Sequence, residues 1–161
     1  MKIKAGLGYD IHRLEKRRKL YLGGVEIPFS RGLVGHSDGD CLIHAIIDSL
    51  LGALGEGDIG QLFPDTDPKY KDIRSTELLE EVVKRIKARD MEVAHIDSVV
   101  IAEEPKLSSH VSRMKETLCS IIGLEKGSLG IKAKTNEGLG LIGERRAIAC
   151  WAIALLRKRD S

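Results

Sequence analysis

The chain has 161 residues, 42% hydrophobic and 31% charged, which fits one soluble globular domain over residues 1–161 and excludes a disordered chain. Its 26 Lys and Arg balance 24 Asp and Glu to a formal charge of +2, so the basic excess of a dedicated nucleic-acid binder is absent, and 4% aromatics leave little for base stacking. Seventeen glycines are the odd feature: eleven lie within residues 1–60, six within 123–143, and none between 61 and 122. Such clusters mark tight turns or backbone held close to a ligand.

Read in chain order, residues 2–10 form a strand that enters a glycine-rich stretch. The run Arg13-Leu14-Glu15-Lys16-Arg17-Arg18-Lys19 reads as a solvated loop. Leu20-Tyr21-Leu22 and Val25-Glu26-Ile27 flank Gly23-Gly24 and predict a β-hairpin with a two-glycine turn. A long helix follows from residues 38–40 to Gly55, with Ser37 as its cap. Leu42, Ile43, Ile46, Ile47, Leu50, Leu51 and Leu54 cover most of its circumference, so it is buried.

A second helix fits Ser75 to Arg89, with Leu78, Leu79, Val82, Val83 and Ile86 in one stripe. Residues 93–102 predict a strand, residues 109–122 a third helix stopped by Gly123, and residues 129–135 another strand. The apolar run Ala147 to Leu156 fits two states. Its alanines and leucines favour helix, while a short, wholly apolar segment also suits a central strand. At ten residues it is too short for a membrane span. The sum is an α+β or mixed α/β domain of two layers. Cys41, Cys119 and Cys150 are odd in number and lack CxxC spacing, as expected for reduced thiols of a cytoplasmic protein.

Asp10-Ile11-His12 ends the first strand, where an i, i+2 pair points both side chains to one face. Alone, the pair reads as a surface carboxylate and a loop imidazole. His44 alters that reading, because it lies within the most apolar helix together with Asp40, Cys41 and Asp48. A polar stripe on a buried helix must meet something polar. Asp10, His12 and His44 would supply three ligands and leave a fourth position open, the pattern of a catalytic zinc. His36-Ser37-Asp38-Gly39-Asp40 precedes a helix N-terminus, where free N–H groups favour phosphate. Asp58, in Gly57-Asp58-Ile59-Gly60, is a candidate carboxylate supporting a metal-bound histidine. Gly138-Leu139-Gly140-Leu141-Ile142-Gly143 matches GxGxxG literally, but it opens no βαβ unit and only 18 residues follow it. His95 and His110 have no ligand-like companions.

These segments occur in one order with Phe63-Pro64-Asp65-Thr66-Asp67-Pro68, Pro105-Lys106-Leu107 and Lys132-Ala133-Lys134-Thr135-Asn136-Glu137-Gly138-Leu139-Gly140. Over nearly the whole chain they resemble the 2-C-methyl-D-erythritol 2,4-cyclodiphosphate synthases of the non-mevalonate isoprenoid pathway. The resemblance implies an α+β, two-layer domain, with a mixed four-stranded sheet covered by helices on one face and assembled as a homotrimer. It makes the final segment a strand. It implies zinc on Asp10, His12 and His44, and a second divalent ion, magnesium or manganese, on Glu137.

The resemblance further implies that His36 and Ser37 contact phosphate, with His36 and Thr135 catalytic. Asp10 and His12 would also touch substrate. Asp58, Ile59, Gly60, Phe63, Pro64, Asp65, Thr66 and Asp67 would surround the methylerythritol unit. Ala102, Pro105, Lys106 and Leu107 would form a cytidine pocket supplied by a neighbouring subunit, and Thr135, Asn136 and Glu137 would meet the diphosphate. The family commonly reads Gly-Phe-x-Gly-Arg-Gly-Glu-Gly where this chain has Gly140-Leu141-Ile142-Gly143-Glu144-Arg145-Arg146-Ala147, which leaves Leu141 and Glu144 outside the site. The implied reaction joins a substrate's own 2-phosphate to its CDP group and releases CMP. A zinc-dependent phosphohydrolase using the same ligands is the alternative.

Overall fold

The computed structural model describes residues 3–159. The expected strand start at residue 2, and both ends of the expected 1–161 domain, lie outside the described residues. The long strands are β1 (Ile3–Lys16), β5 (Met91–Ile101), β6 (Leu129–Lys134) and β7 (Ala147–Lys158). The short ones are β2 (Leu20–Leu22), β3 (Val25–Ile27) and β4 (Arg31–Leu33). Helices α1 (Cys41–Leu54), α3 (Ser75–Ala88) and α4 (Val111–Ile122) form the second layer, with the single-turn α2 (Ile59–Leu62) and α5 (Gly140–Gly143) in loops.

The main sheet has five strands, in the order β4-β1-β7-β5-β6, rather than the expected four. The added strand, Arg31-Gly32-Leu33, is too short to carry a period and pairs only with the far end of β1, Leu14 to Lys16. That pairing also corrects the basic run. Residues 13–16 belong to β1, and the turn of the chain starts at Arg17, which adopts a left-handed φ of 64°. The sheet is mixed: β5 and β6 run parallel, and the β4–β1, β1–β7 and β7–β5 pairs run antiparallel. The β2–β3 hairpin stands apart as a two-stranded sheet.

Helix α1 lies along β1 and β7 because those strands present almost no side chain beneath it. A Cβ on Gly6 would stand 2.0 Å from the Ser49 carbonyl oxygen, and one on Gly8 would stand 1.9 Å from that of Ala45. Their partners across the ladder, Ala154 and Ala152, continue this floor of small residues. The next inward positions of β1 are Asp10 and His12, so the close approach of α1 also brings His44 to them. Ile43, Ile46, Ile47, Leu50 and Leu51 of α1 are fully buried, each contributing roughly 1.5–3 kcal/mol of hydrophobic stabilisation.

The same geometry decides the ambiguous C-terminal segment. Ile148, Cys150, Ala152, Ala154 and Leu156 face inward and are buried, while Trp151 and Ile153 face out. Pairing on both edges in the centre of the sheet overrides the helical preference of alanine and leucine. The start of α1 also differs from expectation. Asp40, not Ser37, is its cap, accepting from Ile43 N at 3.0 Å and from Gly23 N and Gly24 N of the hairpin turn.

Among the described residues, no helix covers the sheet's outer face. Ile3, Leu7, Tyr9, Ile11, Trp151 and Ile153 are exposed there, with the Tyr9 and Trp151 rings 4.4 Å apart between centroids. No helix of the described residues is long and apolar enough to cross a membrane.

Candidate metal centre and substrate site

Asp10 and His12 leave β1 on its inward face, and His44 meets them from the first turn of α1. Asp10 Oδ2 is 2.7 Å from His12 Nε2 and 3.0 Å from His44 Nδ1, and the two nitrogens are 3.1 Å apart. Burial raises the Asp10 carboxyl's pKa, but hydrogen bonds from His12 and His44 outweigh it and hold the group well below the usual carboxylate range. Burial likewise lowers His12, and the Asp10 carboxylate reverses that to a net rise.

The partners behind each ring fix which nitrogen faces the others. His12 Nδ1 lies 2.6 Å from the Val34 carbonyl oxygen, which only accepts, so that nitrogen carries the proton and Nε2 offers a lone pair. His44 Nε2 lies 2.9 Å from Ser75 Oγ and 3.0 Å from Ser37 Oγ. Ser75 donates its own proton to Asp38 Oδ1, so it accepts from His44 Nε2 and leaves Nδ1 as the lone pair. With both rings neutral, as metal binding requires, two lone pairs and one carboxylate oxygen therefore point at a common locus, whereas without metal a proton on either nitrogen donates to Asp10. Tetrahedral ligands at about 2.0–2.1 Å from an ion stand about 3.3 Å apart, and the observed spacings need only slight opening to admit one. Among the described residues, this group fits a divalent metal with an open fourth position.

A cavity of about 200 Å³ opens onto the three ligands. His36, Ser37, Ile59, Gly60, Phe63 and Asp65, which the resemblance assigns to substrate contacts, line it. Tyr70, Ile73 and Leu78 also line it and were not foreseen. His36 Nε2 is buried with no hydrogen-bond partner among the described residues, leaving a polar group for a ligand to satisfy. Asp58, Pro64, Thr66 and Asp67 are not in the wall. The Asp58 carboxylate accepts from Gln61 N at the start of α2 rather than from an imidazole, and Asp67 accepts from Lys69 N.

The support expected of Asp58 is supplied instead by Val34, Ser37 and Ser75. Asp38 Oδ2 accepts from Ser75 N and Arg74 Nε, so it also caps α3 from 37 positions upstream. Residues so distant in sequence leave no local spacing by which this network could be found.

The remaining expected residues gather elsewhere, at the adjacent ends of parallel β5 and β6. Ala102 N donates to the Lys134 carbonyl at 2.9 Å, extending the pairing by one residue. Ala102 and Leu107 are buried and Lys106 is exposed. Pro105 follows a cis peptide bond, and Glu137 takes a left-handed φ of 52° with its carboxylate accepting from Thr135 Oγ1 at 2.7 Å. None of residues 102–107 or 135–137 lines the cavity at the three ligands.

The GxGxxG segment ends in the single turn α5. There a Cβ on Gly143 would stand 2.1 Å from the Gly138 carbonyl carbon, so glycine serves turn packing. Arg145 lies in the left-handed turn before β7, where it pairs with Glu104. Glu144 pairs with Arg146 at 3.3 Å.

The profile of the YgbB family matches residues 3–157. Over 154 residues the chain is 52% identical to 2-C-methyl-D-erythritol 2,4-cyclodiphosphate synthase of Clostridium acetobutylicum, covering 96% of this chain and 99% of that protein. A solved structure of 2C-methyl-D-erythritol-2,4-cyclodiphosphate synthase in a CDP-bound form shares the fold with a TM-score of 0.89 at 39% identity. It covers 96% of this chain and 100% of that one. The bifunctional IspDF of Campylobacter jejuni gives a TM-score of 0.94 at 38% identity over 99% of this chain, which spans 43% of that longer protein. With its three candidate metal ligands set in this fold and a match over nearly its whole length, the chain belongs to the YgbB family.

Proposed function

We propose that this protein is a phosphorus–oxygen lyase of non-mevalonate isoprenoid precursor biosynthesis. It converts 4-diphosphocytidyl-2-C-methyl-D-erythritol 2-phosphate into 2-C-methyl-D-erythritol 2,4-cyclodiphosphate and CMP. The observation that carries this reading is the convergence of Asp10 Oδ2, His12 Nε2 and His44 Nδ1 beside a cavity that holds the unpartnered His36 Nε2.

An oxygen of the substrate's 2-phosphate attacks the β-phosphorus. The bond from that phosphorus to the oxygen bridging the α-phosphorus breaks, and CMP leaves with the oxygen and its electron pair. A phosphate monoester has its second pKa near about 6, so the nucleophile is largely dianionic at neutral pH and needs no protein base. The work left to the protein is to bring anions together in line. Holding both ends of one flexible molecule can supply roughly 7–11 kcal/mol through proximity.

His36 donates to a phosphate oxygen and stabilises the charge that develops in the transition state, with Ser37 at its side. Thr135 orients the diphosphate, and the Lys106 ammonium neutralises part of it. Zinc on Asp10, His12 and His44, with magnesium or manganese on Glu137, supplies Lewis-acid charge neutralisation when bound. The phosphate end lies between His36 and the methylerythritol-facing Ile59, Gly60, Phe63 and Asp65, and the cytidine lies against Ala102, Pro105, Lys106 and Leu107.

The protein works as a homotrimer with each active site between two subunits. Two observations support this. Residues 102–107 and 135–137 lie apart from the cavity within one chain, and the uncovered sheet face exposes an apolar patch of the kind that marks an interface. The three cysteines are free and buried, as suits a cytoplasmic enzyme.

A zinc phosphohydrolase would use the same three ligands but would have no need of a nucleoside pocket. Running the reaction in ¹⁸O-labelled water separates the two. Cyclisation leaves both products unlabelled, and hydrolysis puts label into the released phosphate.

A further inference from the structure

Glu103 stands between two segments that the proposed function assigns to substrate, yet it belongs to neither. It is the first residue after Ala102, where the pairing of β5 with β6 ends, and it precedes Pro105, Lys106 and Leu107. Its carboxylate turns across to the loop that follows β6. There one oxygen, Oε1, accepts from Asn136 N at 2.7 Å and from Gly138 N at 3.4 Å.

Successive left-handed residues, Glu137 with φ 52° and Gly138 with φ 76°, turn these two N–H groups to one side. Such a concavity of backbone donors is an anion site, and here a side chain of the same chain fills it. The conformation that the carboxylate holds is not the resting choice of residue 137. A left-handed φ on a residue with a Cβ is disfavoured and persists only where its surroundings fix it. The same conformation aims the Glu137 carboxylate at Thr135 Oγ1.

We propose that Glu103 is a positioning residue, a resident anion that holds the 135–138 turn and locks the diphosphate-facing loop to the nucleoside-facing one. It touches no reacting atom. It fixes the separation between the group that receives cytidine and the groups that receive the diphosphate, so a CDP moiety meets both at once. The inference rests on the proposed function for the identity of the ligand, and on the two hydrogen bonds for the role of the residue.

The test uses Glu103→Ala, Glu103→Asp and Glu103→Gln in the full chain, with CDP as the calorimetric probe in the presence of magnesium. Amide hydrogen exchange at Asn136 and Gly138 is followed in parallel, with zinc titration of the distant Asp10, His12 and His44 as the control. Glu103→Ala should weaken CDP binding between about tenfold and a hundredfold, speed exchange at both amides, and leave zinc binding unchanged. Glu103→Asp keeps the charge but retracts it, and should lose affinity similarly. Glu103→Gln offers an amide oxygen at the original reach and should retain most of it.

CDP affinity at the wild-type level in Glu103→Ala or Glu103→Asp would overturn the proposal, as would Glu103→Gln as impaired as Glu103→Ala. Should Glu103→Ala not fold, the contrast between Glu103→Gln and Glu103→Asp decides. A wild-type chain that binds no CDP counts against the proposed function instead, and the exchange rates still show whether Glu103 holds the turn.

Discussion

Ser75 Oγ lies 2.9 Å from His44 Nε2 and donates its own proton to Asp38, so this hydroxyl can only accept from the imidazole. One serine at the start of α3 thereby sets the tautomer of a ligand on α1. Ser75 is fully buried and Asp38 nearly so, which keeps water from substituting for either. The candidate metal centre thus depends on the seating of α3 against the 36–40 loop, where Asp38 N donates to the Ile73 carbonyl and Asp72 N to that of His36.

Ser75→Ala should therefore weaken zinc binding about tenfold or more, with Ser37 left as the lesser acceptor. The double change with Ser37→Ala should weaken it further. Competition against a chromogenic chelator measures both. Wild-type affinity in the double variant would show that the imidazole needs neither hydroxyl.

Two glycines near α1 should respond in opposite senses. Gly8→Ala drives a Cβ to 1.9 Å from the Ala45 carbonyl oxygen, so the helix must lift from β1. It should cost at least about 1–3 kcal/mol and reduce zinc affinity, since His44 moves with the helix. Gly52 lies within α1, and its added Cβ would meet nothing closer than 3.8 Å. Gly52→Ala should stabilise by about 0.5–1 kcal/mol. Thermal unfolding of the two variants reads both effects.

Metal affinity should fall with falling pH in a defined window. Both histidines must be neutral to bind, and in the metal-free chain the Asp10 carboxylate raises His12 above its ordinary value despite burial. Proton competition for His12 thus begins above the ordinary pKa of about 6.5 and grows below it. Asp10, held low, stays ionised throughout. Zinc titrations at pH 8 and pH 6 should differ by about tenfold or more, with proton release on binding. Equal affinities would contradict the ligand assignment of His12.

The apolar outer face of the sheet predicts the assembly. Ile153→Asp places a carboxylate at an outward position of β7 that is half exposed in one chain. The single chain should still fold, while the proposed trimer should dissociate and activity fall with it. Sedimentation velocity on wild type and variant checks this, and a wild-type monomer with full activity would refute sites shared between subunits.

Much of this site was legible in the sequence because its ligands lie in segments with strong local signals. Asp10 and His12 share a strand face by period two, and His44 interrupts a helix otherwise apolar all round. The second level was not legible. Val34 contributes only a carbonyl, which every residue has, and Ser75 lies 31 positions from His44. The fold divides similarly. Hydrophobic period exposed α1, α3 and α4, whereas β4 has three residues and no period. For β7, the alternation of small inward Cys150, Ala152 and Ala154 with large outward Trp151 and Ile153 became meaningful only once α1 was placed over it. Gly6 and Gly8 were visible as glycines, but their purpose, a bare floor under a helix, depends on a contact some 40 positions away.

The most direct test of the central claim is phosphorus NMR of the 2-phosphorylated CDP-methylerythritol incubated with the protein, zinc and magnesium. We predict two coupled resonances of a cyclic diphosphate appearing in step with CMP, and no inorganic phosphate. Inorganic phosphate as the product, or unchanged substrate with zinc bound at Asp10, His12 and His44, would contradict it.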